Sequence, residues 1–228
     1  VQELKNAKIG TAFFWDRQRS PYPGLEYFTE KDAGVFFSRK DDIDKLEGFF
    51  APLSTTKNDR HLIVVFGASG SGKSSLILAG LIPRIKRTLE WLVIPRLVPG
   101  GQPLNNLAQN LATAFAERGL NQNSTETLAR LQDNPDALIQ IARELSFNTQ
   151  KQQFVLLFID QAEELLTRSG KEETQNFLNL LDTAIASESP LWIVMALRSE
   201  FYLSVQPDNP MGNFIGKGRS ELFVLPMG

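Results

Sequence analysis

The sequence predicts a three-layer α/β fold built around a parallel sheet of five strands. Five short apolar runs recur along the chain, stretches with helical periodicity separate them, and a glycine-rich turn directly follows the first run. Strands that alternate with helices form parallel sheets through right-handed crossovers and are flanked by those helices. The predicted strands are 61–66, 91–97, 154–159, 191–197 and 221–225.

The chain divides into two parts. Residues 1–28 are interpreted as a linker or lead-in from a preceding domain, and residues 29–228 as the α/β core. Helical patterns begin at Thr29 and again over 41–50. Residues 206–220 carry two prolines and three glycines and are predicted as a loop. The helices between the strands are predicted over 73–88, 103–118, 124–147 and 171–187.

Composition excludes several classes of chemistry. The chain has 228 residues, with 24 Lys plus Arg against 26 Asp plus Glu and a formal net charge of −2. This balance gives no general attraction to nucleic acid or to an anionic membrane, so neither is expected as a partner. There is no cysteine and one histidine, which excludes disulfides, zinc-thiolate sites, cysteine nucleophiles and His-rich metal sites. No apolar run approaches the roughly 20 residues that span a bilayer. Because the chain has no cysteine, a reducing compartment suits it, and a cytoplasmic location is expected.

A glycine-rich motif follows the first predicted strand and opens a predicted helix. It matches the phosphate-binding loop G-x-x-x-x-G-K-[ST] in the strand–loop–helix context that this motif requires. Gly67, Gly70 and Gly72 are expected to adopt positive φ, so that backbone N–H groups point at phosphate oxygens. Lys73 would contact the β and γ phosphates, and the Ser74 hydroxyl would bind Mg²⁺. The expected nucleotide-binding residues here are Gly67, Ala68, Ser69, Gly70, Ser71, Gly72, Lys73, Ser74 and Ser75.

A cluster of acidic residues follows the third predicted strand. Asp160 stands at the tip of that strand, and Glu163 and Glu164 come three and four residues later. Because ligands collect at the carboxyl edge of a parallel sheet, Asp160 is predicted to bind Mg²⁺ together with Ser74. Either glutamate could orient or deprotonate the water that attacks the γ phosphate, with Glu163 slightly favoured. The same acids would also be favourable at a helix N-terminus without any catalytic role.

The fourth predicted strand is followed by Arg198, Ser199 and Glu200. If this strand lies between the first and the third, the Arg198 guanidinium reaches the γ phosphate and reports its presence. Lys73 and Arg198 are therefore counted with the glutamates as candidate catalytic residues. The alternative for Arg198 is a salt bridge to Glu200 or Glu163.

Further motifs accompany these three in a fixed order. The further motifs are Pro23, Gly24, Leu25 and Phe28, then 36–39, both before the phosphate loop, and Pro99, Gly100, Pro103 and Leu104 after it. The acidic motif at 160–164 and the arginine motif at 197–201 follow. Together they resemble the STAND class of P-loop ATPases, within the AAA+ and NACHT-like group, and more narrowly the bacterial novel STAND family, over residues 21–228. The resemblance implies a P-loop NTPase core with strand order 5-1-4-3-2, truncated before a helical lid and a winged-helix region.

One of these segments corresponds to a family stretch that reads Phe-Phe-Gly-Arg-Glu and borders the adenine. In this sequence Ser38 replaces the glycine and Lys40 the glutamate. The resemblance implies that Phe37 and Arg39 contact the nucleotide. The alternative is that Phe36 and Phe37 belong to the core.

The resemblance also implies a function. Such a domain would bind ATP with Mg²⁺, hydrolyse it slowly, and use its nucleotide state to control conformational change and homo-oligomerisation in bacterial immunity or stress signalling. Effector and sensor domains would lie in the same polypeptide, and this segment alone is expected to bind weakly and hydrolyse poorly. Two alternatives stay open: an AAA+ initiator or loader-type ATPase that acts on nucleic acid, and a non-catalytic nucleotide-binding scaffold. The absence of an Asn-Lys-x-Asp guanine-reading motif favours adenine.

Overall fold

A computed structural model gives the architecture of most of the chain. It describes residues 27–36, 39–50, 61–88, 90–147, 153–186, 189–205, 209–216 and 220–225. The predicted linker over 1–28 lies almost wholly outside the described residues, and so does Phe37. Within the described ranges, no helix is both long and apolar enough to cross a membrane.

Parallel strands form the middle layer. In chain order they are β1 Leu62–Gly67, β2 Trp91–Val93, β3 Phe154–Ile159, β4 Leu191–Arg198 and β5 Ser220–Val224. Every neighbouring pair is parallel, and the order across the sheet is β2-β3-β4-β1-β5. Read from the other edge this is 5-1-4-3-2, so the predicted fold class and strand order are confirmed. The strand that carries Arg198 lies between β1 and β3.

Helices cover both faces of the sheet. They are α1 Lys40–Gly48, α2 Lys73–Ser75, α3 Ile82–Arg87, α4 Pro103–Glu117, α5 Ser124–Asp133, α6 Ala137–Ser146, α7 Glu164–Thr167, α8 Lys171–Ala186 and α9 Pro210–Gly216. Short 3-10 segments span Glu30–Asp32 and Ser199–Val205, and a π-helical turn, Leu76–Leu81, joins α2 to α3. One face of the sheet packs against α1, the π-helical turn and α3, and the other against α4, α5, α6, α8 and α9.

The alternation of side chains along β1 divides the core in two. Leu62, Val64 and Phe66 belong to the cluster on the α4–α9 face. Ile63 and Val65 belong to the cluster on the α1–α3 face. Because both faces are buried, the strand is apolar at every one of these positions and shows no polar alternation. This explains why the strands appear in the sequence as continuous apolar runs.

The helix that follows the glycine-rich loop is widened in its middle. Pro83 lies just beyond the π-helical turn, and its ring would clash with the carbonyl of Ala79 in a regular α-helix. Gly80 lies within the turn, where a Cβ would come within 2.7 Å of Ile43 Cδ1. The glycine therefore lets α1 pack closely on the helix that leaves the loop.

The prediction of one helix over 124–147 is wrong, because the structure has two helices there, α5 and α6. Asn134 adopts an extended conformation with φ −134° and ψ 116°. Pro135 follows it, and a proline disfavours helical geometry in the residue before it. The apolar pattern continues across the break because both helices pack into the same core cluster.

The strand predicted over 91–97 is too long. Regular pairing ends at Val93, and Leu97 returns to the sheet only as an isolated bridge with Ile159. Pro95 stands between them and has no N–H to donate to a ladder. The residues after β2 therefore form an irregular segment along the carboxyl edge of the sheet.

Two local predictions before and after the core also need correction. The helical pattern from Thr29 gives a single 3-10 turn, and α1 begins only at Lys40. The loop predicted over 206–220 contains α9, whose first residue is Pro210. Asn209 caps it, since its Oδ1 accepts the Gly212 N–H at 2.9 Å.

An interior strand of the sheet, β3, gives a direct test of this packing. Phe158 is fully buried in β3, whereas Phe147, at the end of α6, is 73% exposed. We expect Phe158→Ala to lower the free energy of unfolding by about 3–5 kcal/mol, because it leaves a cavity in a close-packed core. Phe147→Ala should change it by less than about 0.5 kcal/mol. Urea denaturation of both variants measures the difference, and equal effects would contradict the assigned burial.

Candidate functional site

The glycine-rich loop lies at the carboxyl end of β1 and leads into α2. Gly70 and Gly72 have positive φ values of 74° and 84°, as predicted. The prediction is wrong for Gly67, which is the last residue of β1 and does not have positive φ. Glycine is required there for space, because a Cβ would lie 2.6 Å from Ser71 Oγ and 3.2 Å from Leu225 Cβ. The loop thus folds back closely over its own first residue.

Lys73 is the first residue of α2, and its ammonium group lies against the loop. Nζ donates to the carbonyl oxygens of Gly67 at 2.7 Å and Ala68 at 2.8 Å. Burial lowers the pKa of Lys73 from its ordinary value, while the negative charges of Glu163 and Asp160 act in the opposite direction. A phosphate in the loop would be a stronger partner for this cation than two neutral carbonyls.

Ser74 and Asp160 meet across the junction between the loop and β3. The Ser74 hydroxyl donates to Asp160 Oδ1 at 3.0 Å, and the Gln161 N–H donates to the same oxygen at 2.9 Å. Asp160 is only 1% exposed. A hydroxyl and a carboxylate in contact supply the oxygen ligands that Mg²⁺ prefers. No group of three or more acidic or histidine ligands occurs among the described residues, so phosphate and water oxygens would complete the shell of an ion held here.

Arg96 is a member of this site that the sequence analysis missed. Its Nε and Nη2 lie 2.8 Å and 2.7 Å from Asp160 Oδ2. The prediction placed Arg96 inside a strand, whereas the chain leaves the ladder after Val93 and runs along the ligand edge. A basic residue directly beyond a proline in a parallel-strand pattern is the signal that could have identified it.

Glu163 pairs with Arg198, the last residue of β4. Arg198 Nε lies 2.9 Å from Glu163 Oε1, and the Arg198 backbone N–H approaches Oε2 at 3.4 Å. The glutamate side chain is 7% exposed and the arginine side chain 46% exposed. Of the two salt bridges that the sequence left open for Arg198, the one to Glu163 is therefore present in the structure.

Glu164 faces a different part of the molecule from Glu163. Its Oε2 accepts the Gly100 N–H at 3.1 Å, and its Oε1 lies 3.0 Å from Arg168 Nη1. The Gly100 carbonyl in turn accepts the Ser169 hydroxyl at 2.7 Å, and Gly100 has a positive φ of 59°. Glu164 thus holds the loop after β2 against α7, and this contact distinguishes two glutamates that the sequence could not separate.

Two residues predicted to bind nucleotide carry a buried side-chain atom without a hydrogen-bond partner in the described part of the chain. These atoms are Ser71 Oγ and Arg39 Nη1. Arg39 Nη1 lies 3.9 Å from Asp42 Oδ2, which is an ion-pair distance but too long for a hydrogen bond. Buried polar atoms are normally satisfied, so both sites fit an additional ligand.

The remaining predicted contacts lie between the phosphate loop and the residues before α1. Ser75 is buried, and its Oγ accepts the Phe28 N–H at 3.1 Å. Phe36 packs against the α1–α3 core, with its ring centroid 5.5 Å from that of Phe28. Packing is therefore the observed role of Phe36, whereas Phe37 lies outside the described residues.

Solved structures share this fold at low sequence identity. A Walker-type ATPase of Pyrococcus abyssi is 15% identical with a TM-score of 0.52, over 89% of this chain and 56% of that one. The ORC2 protein of Aeropyrum pernix, in ADPNP–ADP complexes, is 14% identical with a TM-score of 0.57, over 83% and 48%. Drosophila ORC bound to DNA is 21% identical with a TM-score of 0.53, over 84% and 43%. The chain thus spans about half the length of these proteins, and the likeness is one of fold.

Comparison at the level of sequence families is more specific. No curated protein sequence matches the chain significantly. The sequence profile of the family described as Novel STAND NTPase 1 matches residues 21–228. That range includes the phosphate loop, Asp160, the two glutamates and Arg198. The chain therefore belongs to the Novel STAND NTPase 1 family.

Proposed function

We propose that this NTPase domain binds ATP with Mg²⁺, hydrolyses it slowly, and acts as a switch whose nucleotide state controls conformation and self-association. The observation that carries the proposal is the convergence of Lys73, Ser74 and Asp160 with the Glu163–Arg198 pair at one edge of the sheet. A lysine cation, two oxygen ligands for a metal ion, a carboxylate that can orient water and a guanidinium that can stabilise the γ phosphate are the groups that phosphoryl transfer uses.

In this proposal the phosphates occupy the loop between β1 and α2. The N–H groups of the loop and Lys73 would hold the phosphate oxygens, and Ser71 Oγ would gain the partner that it lacks among the described residues. Ser74 and Asp160 would hold Mg²⁺, which supplies positive charge to the phosphate oxygens. Arg39 would contribute a further contact to the nucleotide. Adenine is the proposed base, since the sequence lacks the guanine-reading motif.

The Glu163–Arg198 pair offers a physical basis for slow, regulated hydrolysis. A glutamate that is paired with a guanidinium is less available to orient a water molecule than an unpaired one. A γ phosphate near Arg198 would compete for the guanidinium, because a phosphate accepts charge-assisted hydrogen bonds as a carboxylate does. The triphosphate would then loosen Glu163 and change the contacts at the end of β4. ADP lacks the group that competes.

A switch also needs a second conformation that the nucleotide favours. To reverse a closed equilibrium from 1:99 to 99:1, ATP must favour the open state by about 5.5 kcal/mol. We propose that such a difference is expressed through a helical lid, a winged-helix region, and sensor and effector domains of a longer polypeptide, with residues 1–28 as the connection to a preceding domain. We propose that the switch controls homo-oligomerisation, and that it acts in the cytoplasm in bacterial immunity or stress signalling.

The two alternative functions receive less support. A formal net charge of −2 does not favour a nucleic-acid machine, and a fold shared with an origin-recognition protein at 21% identity carries no partner across. A non-catalytic nucleotide-binding scaffold would not need a candidate base such as Glu163, paired with Arg198, beside the phosphate loop. We therefore favour a hydrolysing switch.

Removing the loop cation tests nucleotide binding. We expect Lys73→Ala to weaken ATP binding about 10- to 100-fold, because a charge-assisted contact contributes roughly 1.5–3 kcal/mol. Lys171→Ala, at the exposed start of α8, should leave the affinity unchanged. Isothermal titration with ATP measures both, with thermal unfolding as a check on folding. Unchanged affinity in Lys73→Ala would remove the proposed site.

The two glutamates give a test of catalysis. Glu163→Gln should lower the rate of ATP hydrolysis at least about 100-fold, because a general base contributes that much. Glu164→Gln should lower it by less than Glu163→Gln does, since Glu164 binds Gly100 and Arg168. Phosphate release measured for both variants shows which glutamate is needed for hydrolysis, and ATP affinity is measured as the control that each variant still binds nucleotide. A larger loss in Glu164→Gln, or full activity in both, would refute the assignment to Glu163.

A further inference from the structure

Arg96 is held from two sides. On one side Nε and Nη2 lie 2.8 Å and 2.7 Å from Asp160 Oδ2. On the other side Nη1 donates a hydrogen bond to the Tyr27 hydroxyl, and the guanidinium carbon lies 4.4 Å from the centre of the Tyr27 ring. The Arg96 side chain is 19% exposed, so most of it is buried. A rigid, planar cation in this position connects the candidate metal ligand to the segment before α1.

The two oxygens of Asp160 have separate partners. Oδ1 accepts from the Ser74 hydroxyl and the Gln161 N–H, whereas Oδ2 accepts a hydrogen bond from Arg96 Nε and forms an ion pair with Arg96 Nη2. The χ2 torsion of an aspartate has a broad energy minimum, so the carboxylate plane needs partners to fix it. The planar fork of an arginine fixes it more firmly than a lysine ammonium would. Arg96 thereby leaves Oδ1 directed at Ser74.

We propose that Arg96 is a positioning residue that fixes the carboxylate of Asp160 for Mg²⁺ and that Tyr27 in turn holds Arg96 in place. This inference rests on the proposed function, because Asp160 is a metal ligand only if the domain binds Mg²⁺ with its nucleotide. Partners that orient metal ligands commonly affect metal affinity about 10- to 100-fold. Arg96 acts through Asp160 and has no assigned contact with the nucleotide.

The segment that carries Tyr27 is itself attached to the phosphate-loop helix. The N–H of the next residue, Phe28, donates to Ser75 Oγ at 3.1 Å, one position beyond Ser74. Thr29 and Asp32 close the following turn, with the Thr29 N–H 2.8 Å from Asp32 Oδ2. Two consecutive residues, Tyr27 and Phe28, thus contact Arg96 and Ser75, which are the neighbours of Asp160 and Ser74. A displacement of this segment is expected to change the geometry of the metal site.

Positioning and competition by Arg96 would change Mg²⁺ binding in opposite directions. A guanidinium adds positive charge beside the site and could compete with Mg²⁺ for Asp160. If competition dominated, removing Arg96 would tighten Mg²⁺ binding. If positioning dominates, removal weakens Mg²⁺ binding, because a buried carboxylate that loses the hydrogen bond and the ion pair to Oδ2 no longer keeps its orientation toward Ser74.

The test measures binding of a fluorescent, non-hydrolysable ATP analogue to the protein, first in EDTA and then as Mg²⁺ is added. For Arg96→Met we expect the half-saturating Mg²⁺ concentration to rise at least about tenfold. Affinity in EDTA should change less than about threefold, since the Arg96 guanidinium is engaged by Asp160 and Tyr27 and is assigned no contact with the phosphates. Arg96→Lys should raise the half-saturating Mg²⁺ concentration by less than Arg96→Met does. Tyr27→Ala should raise it by more than Tyr27→Phe does. The matched control is Arg130→Met, which breaks an ion pair to Glu144 of 2.7 Å in the helical layer.

The outcomes separate the two levels of the proposal. If wild-type protein fails to bind the analogue, or binds it without any effect of Mg²⁺, the proposed function fails and this inference fails with it. If wild-type binding depends on Mg²⁺ but the half-saturating Mg²⁺ concentration of Arg96→Met is unchanged or lower, only the positioning role is overturned. Should Arg96→Met not fold in a thermal unfolding assay, Arg96→Lys and Tyr27→Ala decide, and unchanged Mg²⁺ dependence in both overturns the positioning role.

Discussion

The buried carboxylate of Asp160 is the interaction on which the rest of the candidate site depends. It joins three segments that are far apart in sequence: Ser74 in the helix after β1, Gln161 after β3, and Arg96 after β2. An ionised group with 1% exposure is destabilising unless it is paired and hydrogen-bonded. The arginine and the hydroxyl therefore serve stability and, at the same time, fix the direction of a group suited to a metal ion.

Sheet topology explains why these groups meet. Parallel strands bring their carboxyl ends to one edge, and β4 lies between β1 and β3. Arg198, at the end of β4, is thereby brought beside Glu163, which follows β3. The phosphate loop stands on the other side, after β1. Each strand from β2 to β1 across the sheet thus contributes one charged or loop element to the same edge.

Sequence reasoning was most reliable where a short motif determines local geometry. The phosphate loop needs glycine at fixed positions, and the apolar runs identify buried strands because both sheet faces are covered. The strand order came from the family resemblance, since periodicity within a strand carries no information about its neighbours. Gly67 is an instructive error: space for a side chain there is limited by Ser71 within the loop and by Leu225 after β5, and not by a positive φ.

Some features that sequence reasoning missed depend on contacts between distant residues, and others depend on single prolines within apolar patterns. Arg96 was assigned to a strand because its neighbours are apolar, although Pro95 ends the regular pairing. Glu163 and Glu164 both lie about one turn after Asp160, and they are separated by their partners, which are Arg198 for Glu163 and Gly100 for Glu164. The break at Pro135 was hidden because apolar residues on both sides of it face one core.

A crystal structure of the chain with Mg²⁺ and a non-hydrolysable ATP analogue would test the central claim most directly. The account predicts phosphates within the loop that begins at Gly67, the ion beside Ser74 and Asp160, and Arg96 still bound to the second oxygen of that carboxylate. A nucleotide whose phosphates lie outside this loop, or an Asp160 turned away from Ser74, would contradict it.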